Sequence, residues 1–325
     1  MLVMSIVLSC WINIIYNLHF LMNYHSSALT DRRLSLRFSS IVVYIVCALW
    51  VTSPVLAQAD TDIFLVDMTT SPLKVGTPQN ITQRKGYDNQ PSFSPDGKSL
   101  LYTSMQADGQ TDIYRYTLDS KTTTQLTRTP EGEYSPTITP DRAYFSVIRV
   151  EGDKTQRLWK FPLSGAGEPT LVLPAVKPVG YHCWLDSDWL ALFILGSPNS
   201  LQLAKVSTGD TIRVAASIGR TLLKIPGKQV LSYVHKQDAT HWEIRQLDLK
   251  TRTSTGIVPT LEGSEDFIWT PDGLILMARG PVLYQYNPNT TSGWQPVADF
   301  SSAGITQLTR LAIDPAGKRL AFVAQ

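Results

Sequence analysis

Cysteine is nearly absent: Cys10, Cys47 and Cys183 are the only three in 325 residues. Three cannot build a disulfide framework or a four-ligand zinc ribbon. Charge is sparse and balanced, with 29 Lys and Arg against 27 Asp and Glu. A net charge of +2 offers no basic surface, so nucleic acid is not an expected partner. No long segment carries a helical period, which excludes bundles and coiled coils. The usual chemical signatures are missing too: there is no Gly-x-Ser-x-Gly elbow, no Gly-x-x-x-x-Gly-Lys phosphate loop and no His-Glu-x-x-His. What is plentiful is apolar residues, at 43%, with 20 Gly and 20 Pro, a globular composition rich in turns.

Residues 1–59 differ from the rest. They hold only four charged residues: Asp31, Arg32, Arg33 and Arg37. An apolar run at 41–51 (IVVYIVCALWV) follows, then Pro54 and Ala57-Gln58-Ala59. Basic residues, a short apolar helix and an A-x-A site form a secretory signal pattern. The arginines stay cytoplasmic, the run enters the bilayer, and the small side chains fit the peptidase. Cleavage is expected after Ala59, giving a periplasmic or extracellular product. The alternative is tethering by an uncleaved segment, although the run is short of the roughly 20 residues that span a bilayer. The apolar stretch before the arginines reads as an upstream extension, with a second short membrane segment as the alternative. Without residues 1–59 the chain has 26 basic and 26 acidic residues, and Cys183 alone, so no internal disulfide can form. No membrane contact beyond the signal segment is expected, and the product is expected to be a monomer.

The remainder is repetitive. Pro91-Ser-Phe-Ser-Pro-Asp-Gly-Lys98 precedes a strand at 99–104. Related turns recur at 138–142, 184–188, 225–228, 269–273 and 313–318, each followed by an apolar strand. With Pro95, Pro140, Asp186, Pro226, Pro271 and Pro315 as markers, the intervals are 45, 46, 40, 45 and 44. Proline presets such a turn, Asp bonds the local backbone and Gly accepts a positive φ. A third strand follows each turn, as at 112–116 (DIYRY) and 242–247 (WEIRQL), and a weaker fourth follows that, as at 124–127 and 168–173. Four strands every 40–45 residues mark a β-propeller blade. The last unit shows two strands, while 62–67 (DIFLVD) and Asn80-Ile-Thr supply an unclaimed third and fourth. The expected fold is therefore all-β: a six-bladed propeller over 60–325, its four-stranded last blade closed by the N-terminal strands.

The repeat PSFSPDGKSLLYTS…DIYRYTLDSKTTTQLT resembles the TolB-like, WD40-like propeller repeat over about residues 60–325. The match is close in the first full blade and weaker in the third and fourth, where Asp186-Ser-Asp188 and Pro226-Gly227 replace Pro-Asp-Gly. The resemblance implies six blades, an exported location and a protein-binding role. TolB also has an N-terminal α/β domain, for which no room is expected between Ala59 and Asp62, so its translocation role is not implied. The same repeat forms the gating propeller of prolyl-oligopeptidase-type peptidases, here without an expected hydrolase domain.

The start of each innermost strand should line the central channel. Alignment on the turns gives Asp88 and Asn89, Glu133 and Tyr134, Tyr181 and His182, Arg220, Glu265 and Asp266, and Arg310 as candidate binding residues. In lactonase-type propellers a hard cation such as calcium is held by carboxylate and amide oxygens. Asp88, Glu133 and Asp266 are the weak metal candidates here. The competing expectation is that these acids cap neighbouring backbone, with no metal or other cofactor, and Arg220 and Arg310 oppose a central cation. His182 and Cys183 are adjacent on one strand and point to opposite faces, so they cannot pair as nucleophile and base. No catalytic residue is assigned. The leading expectation is a non-enzymatic envelope module that binds a protein, peptide or glycan. The alternatives are a metal-dependent lactonase-type hydrolase and an accessory propeller of a peptidase system.

Overall fold

The computed structural model describes residues 60–290 and 292–325; the expected signal segment and cleavage site lie outside these residues. Each repeat folds into one antiparallel sheet whose strands follow chain order. Blade 1 contains Asp88–Phe93, Ser99–Met105, Thr111–Thr117 and Thr122–Gln125, from the innermost strand outward. Blades 2 to 5 occupy residues 132–171, 179–216, 218–259 and 267–299. Blade 6 joins Leu308–Ile313 and Arg319–Ala324 to Asp62–Thr70, on which Gln79–Asn80 pairs. The joint runs antiparallel from Asp62 opposite Ala324 to Asp67 opposite Arg319. This is the closed six-bladed ring expected from the repeat spacing, and the joint leaves no free inner edge in blade 6.

The local chemistry of the repeat explains each blade. At the first hairpin of blade 1, Ser94 Oγ donates to Asp96 Oδ1 at 2.6 Å, Lys98 N donates to the same oxygen, and Gly97 takes φ 67°. Thr139 with Asp141 and Thr270 with Asp272 repeat the arrangement in blades 2 and 5. The Asp at the start of the third strand pairs with a Thr beyond the fourth. Thr127 Oγ1 donates to Asp112 Oδ1 at 3.0 Å and accepts from Ile113 N at 2.9 Å. Thr82, Asp62 and Ile63 do the same across blade 6. These contacts give the Asp-Ile-Tyr and Leu-Thr signatures a structural job. The fourth strand of blade 2 is shorter than its sequence suggests, only Thr170–Leu171.

Second strands are apolar on both faces because each blade is sandwiched between two others, as in other sheets covered on both sides. In blade 1, Leu100 packs toward blade 6 with Ile63, Ala321 and Val323, while Leu101 packs toward blade 2 with Phe145 and Val147. Six buried clusters fill the six gaps between neighbouring blades. The recurring aromatics Phe93, Tyr114 and Trp269 belong to these gaps. Trp269 Nε1 also donates to Ser232 Oγ of blade 4 at 2.8 Å.

Candidate functional site

The innermost strands are not regular. Their pairing with the second strands is interrupted between Asn89 and Ser92, between Tyr134 and Thr137, and between Thr309 and Ala312. At each interruption one residue is left-handed: Gln90 (φ 57°), Ser135 (φ 54°) and Arg310 (φ 55°). Such a conformation costs a non-glycine residue about 1 kcal/mol. In two of the three, proline follows (Pro91, Pro136), and a bulge is where a strand tolerates a residue without an N–H.

A bulge takes a backbone N–H out of its own ladder; the Gln90 N–H turns to Asn89 Oδ1 beside it, while for Ser135 and Arg310 a neighbouring blade supplies the acceptor. Ser135 N donates to Gln90 Oε1 at 2.8 Å, joining blades 1 and 2. Arg310 N donates to Asp266 Oδ2 at 3.0 Å, joining blades 5 and 6. Arg220 N donates to Glu265 Oε2 at 3.1 Å, bridging blade 4 to the start of blade 5. The innermost strands are thus stapled to each other at three of the six blade junctions.

Those strands enclose a central funnel of about 570 Å³. Its wall includes Gln90, Ser135, Tyr181, Thr221, Asp266 and Arg310, one from each blade, each five residues before that unit's turn marker. Prolines, Phe93, Ile138, Trp184, Leu222 and Ile313 supply apolar wall. Its charged centre is the pair of Arg220 and Asp266. Arg220 Nε donates to Oδ1 at 2.8 Å and Nη2 to Oδ2 at 2.5 Å. Burial alone would raise the Asp266 carboxyl; the hydrogen bonds and charge of Arg220, with Arg310 behind them, overrule it and hold it below the usual range. Burial likewise opposes the Arg220 charge, but Asp266 and then Glu265 outweigh it and keep the guanidinium firmly protonated.

Of the ten residues expected to line the channel, Tyr181, His182, Arg220, Asp266 and Arg310 form part of the funnel wall. Asp88, Asn89, Glu133, Tyr134 and Glu265 do not. Asp88 is fully buried and takes Arg84 Nη2 at 2.8 Å; burial pushes its carboxyl up. Glu133 is also fully buried, 3.1 Å from Arg149 Nε; burial lifts it to about 7 against the pull of Thr129 and Arg149. Asn89 turns its Oδ1 onto the Gln90 N–H. Tyr134 packs in the gap between blades 2 and 3. Glu265 accepts from Lys236 Nζ at 2.9 Å as well as from Arg220. Gln90, Ser135 and Thr221 line the funnel without having been expected to. A fixed offset from the turn marker was the cue that would have found them.

Asp88, Glu133 and Asp266 do not come together as a calcium site. They stand in different blades, each against its own arginine. A cation beside Asp266 would face Arg220, with the Arg310 charge also close enough to act on that carboxyl. Among the described residues no group of three or more His, Cys, Asp or Glu is placed to hold a metal ion. His182 is held neutral by burial, which lowers it to about 4, and its Nε2 lies 2.7 Å from Ser146 Oγ. Trp184 Nε1 also donates to that hydroxyl, which is fully buried and so out of reach of a ligand in the funnel. Burial raises the Cys183 thiol to about 11, so it stays protonated at neutral pH.

No family model matches the chain. A dipeptidyl-peptidase 5 from Porphyromonas endodontalis is 43% identical over 60 residues, a match that spans 18% of this chain and only 8% of the peptidase. Among solved structures, a TolB-type protein from Agrobacterium tumefaciens superposes with a TM-score of 0.64 at 15% identity, covering 82% of this chain and 99% of that one. TolB from Acinetobacter baumannii gives a TM-score of 0.53 at 11% identity, over 82% of this chain and 64% of that one. A protein assigned as a gluconolactonase gives 0.55 at 9% identity, over 83% and 93%. Likeness at such identities speaks to fold, and one propeller fold carries many activities. By blade number, topology and superposition, the described residues form a TolB-like six-bladed β-propeller.

Proposed function

We propose that this chain is an exported, non-enzymatic propeller that holds a segment of a protein or peptide in its central funnel. The observation that carries this reading is the division of labour among its charged groups. The carboxylates that a metal-dependent hydrolase would use are each committed to an arginine. The funnel wall instead offers apolar area with a few fixed polar groups, which is the make-up of a recognition site. The rigid ring holds that wall in place, so little order has to be gained on binding. Export rests on the basic residues, apolar run and A-x-A site of residues 1–59.

The test places a photo-crosslinking amino acid at Thr221, in the funnel, or at Thr123, exposed on the outer strand of blade 1. A discrete cell-envelope polypeptide captured from Thr221 but not from Thr123 is expected. Stoichiometric calcium in the purified chain, lost on Asp266→Ala or Glu133→Ala, would overturn the reading in favour of the hydrolase.

A further inference from the structure

The funnel wall is not electrically neutral. Arg142, Arg220 and Arg310 line it, against Asp266 as its one carboxylate. Arg220 is committed to Asp266 by two hydrogen bonds. Arg142 sits exposed on a hairpin turn at the rim. Arg310 differs from both. Its backbone N–H donates to Asp266, but its guanidinium forms no ion pair among the described residues. Instead Nη2 donates to the Tyr181 hydroxyl at 2.8 Å, and the group lies 5.0 Å over the Tyr181 ring. Tyr181 is itself braced edge-on against Phe193, with centroids 5.4 Å apart.

A guanidinium carries five N–H donors in a rigid fork. Here one is used, the others are uncommitted to any acid, and the left-handed bulge at Arg310 together with the Tyr181 ring fixes where they sit. A cation already oriented in a partly dry, apolar-walled site is a receptor for an anion. Its single unmatched charge suits a monoanion. A phosphate, at about −1.5 to −2, would need a second cation beside Arg310, and the other one unpaired among the described residues, Arg142, stands exposed on the rim turn.

We infer that the funnel takes a carboxylate-bearing peptide, with the carboxylate paired to the Arg310 guanidinium and neighbouring apolar side chains laid against Phe93, Ile138, Leu222 and Ile313. This rests on the funnel being the binding site. The carboxylate has two sources, a peptide C-terminus or an Asp or Glu side chain.

Calorimetry with three N-acetylated apolar pentapeptides separates them: one with a free C-terminal acid, one amidated, and one amidated with a central Asp. The acid, the Asp peptide or both are expected to bind at least tenfold more tightly than the plain amide, and to weaken as salt is raised. Whichever binds names the source. R310Q should reduce it to the level of the amide, and R310K should keep part of the preference. Gln is tolerated at this bulge, since Gln90 holds the same conformation in blade 1 (φ 57°). Unchanged urea melts would confirm that R310Q still folds. Equal binding of all three peptides, with R310Q like the wild type, overturns the carboxylate inference and leaves the funnel reading standing. No binding by any of the three, with crosslinks from Thr123 alone, overturns both.

Discussion

Asp266→Asn tests the idea that the ring's centre is held by one carboxylate shared among three blades. In the native chain that group accepts from Arg220 twice and from Arg310 N once, with Thr221 Oγ1 at 3.4 Å. Asn keeps the shape and can still accept from Arg310 N, but it removes the charge that neutralises Arg220. Breaking a buried pair on one side costs roughly 3–5 kcal/mol. The Arg220 side chain is 27% exposed, so water recovers part of that. We expect a loss of about 2–3 kcal/mol, which for a domain of this size lowers Tm by roughly 4–6 °C. The sign with pH is fixed by direction: Asp266 titrates lower in the folded chain than unfolded. Its contribution is therefore full above the unfolded carboxylate value, near 3.9, and is lost as pH falls through its lower folded value. Calorimetric melts at pH 7 should separate the two proteins, and urea titrations at successively lower pH below the unfolded carboxylate value should narrow the gap. The double variant with Arg220→Met should recover part of the loss. Equal melts at pH 7, or a gap that persists unchanged at pH 3, would refute the central staple.

Glu133 acts with the opposite sign. Its folded value is raised to about 7, so the stability it contributes is present below about 4.5 and is lost as pH rises toward 7. Glu133→Gln should flatten that part of the stability–pH curve, by at most about 3 kcal/mol, and an unaltered slope would count against the assignment. Phe322, fully buried in the closing blade and packed on Phe64 and Phe300, should cost about 4 kcal/mol when changed to Ala; a loss under about 1 kcal/mol in urea unfolding would show that the blade is not closed there. Deleting Asp62–Thr70 should bare the edge of Arg319–Ala324 and drive self-association, visible by sedimentation; a monodisperse monomer would contradict the joint. Asp96→Ala loses the bonds from Ser94 and Lys98 N in one hairpin turn and should cost about 1 kcal/mol in thermal melts, with binding unaffected.

The blades were legible because their information is local. A proline-aspartate-glycine turn needs only its own residues to fold, and a second strand covered on both faces must be apolar throughout, so the period of about 45 residues shows in one dimension. The pairing of 62–67 with the last strand was legible for the same reason: each end of the repeat array lacked what the other had. The walls of the funnel were less legible. Alignment on the turns selected Asp88 and Glu133, yet both face arginines, Arg84 just before blade 1 and Arg149 within blade 2. Nothing about Arg84 or Arg149 in the sequence marks them as those partners.

The sequence by itself thus determined an all-β ring of six units and the way its ends meet, since turn chemistry and strand burial are written residue by residue. Which side chain of each innermost strand reaches the axis was decided only in three dimensions. A bulge adds one residue to one strand of a pair, which reverses the facing of the residues beyond it, and its freed N–H must find a new acceptor, on the neighbouring blade for Ser135 and Arg310. That acceptor can lie some 45 residues away, as Asp266 does from Arg310, so only the closed ring brings the two together.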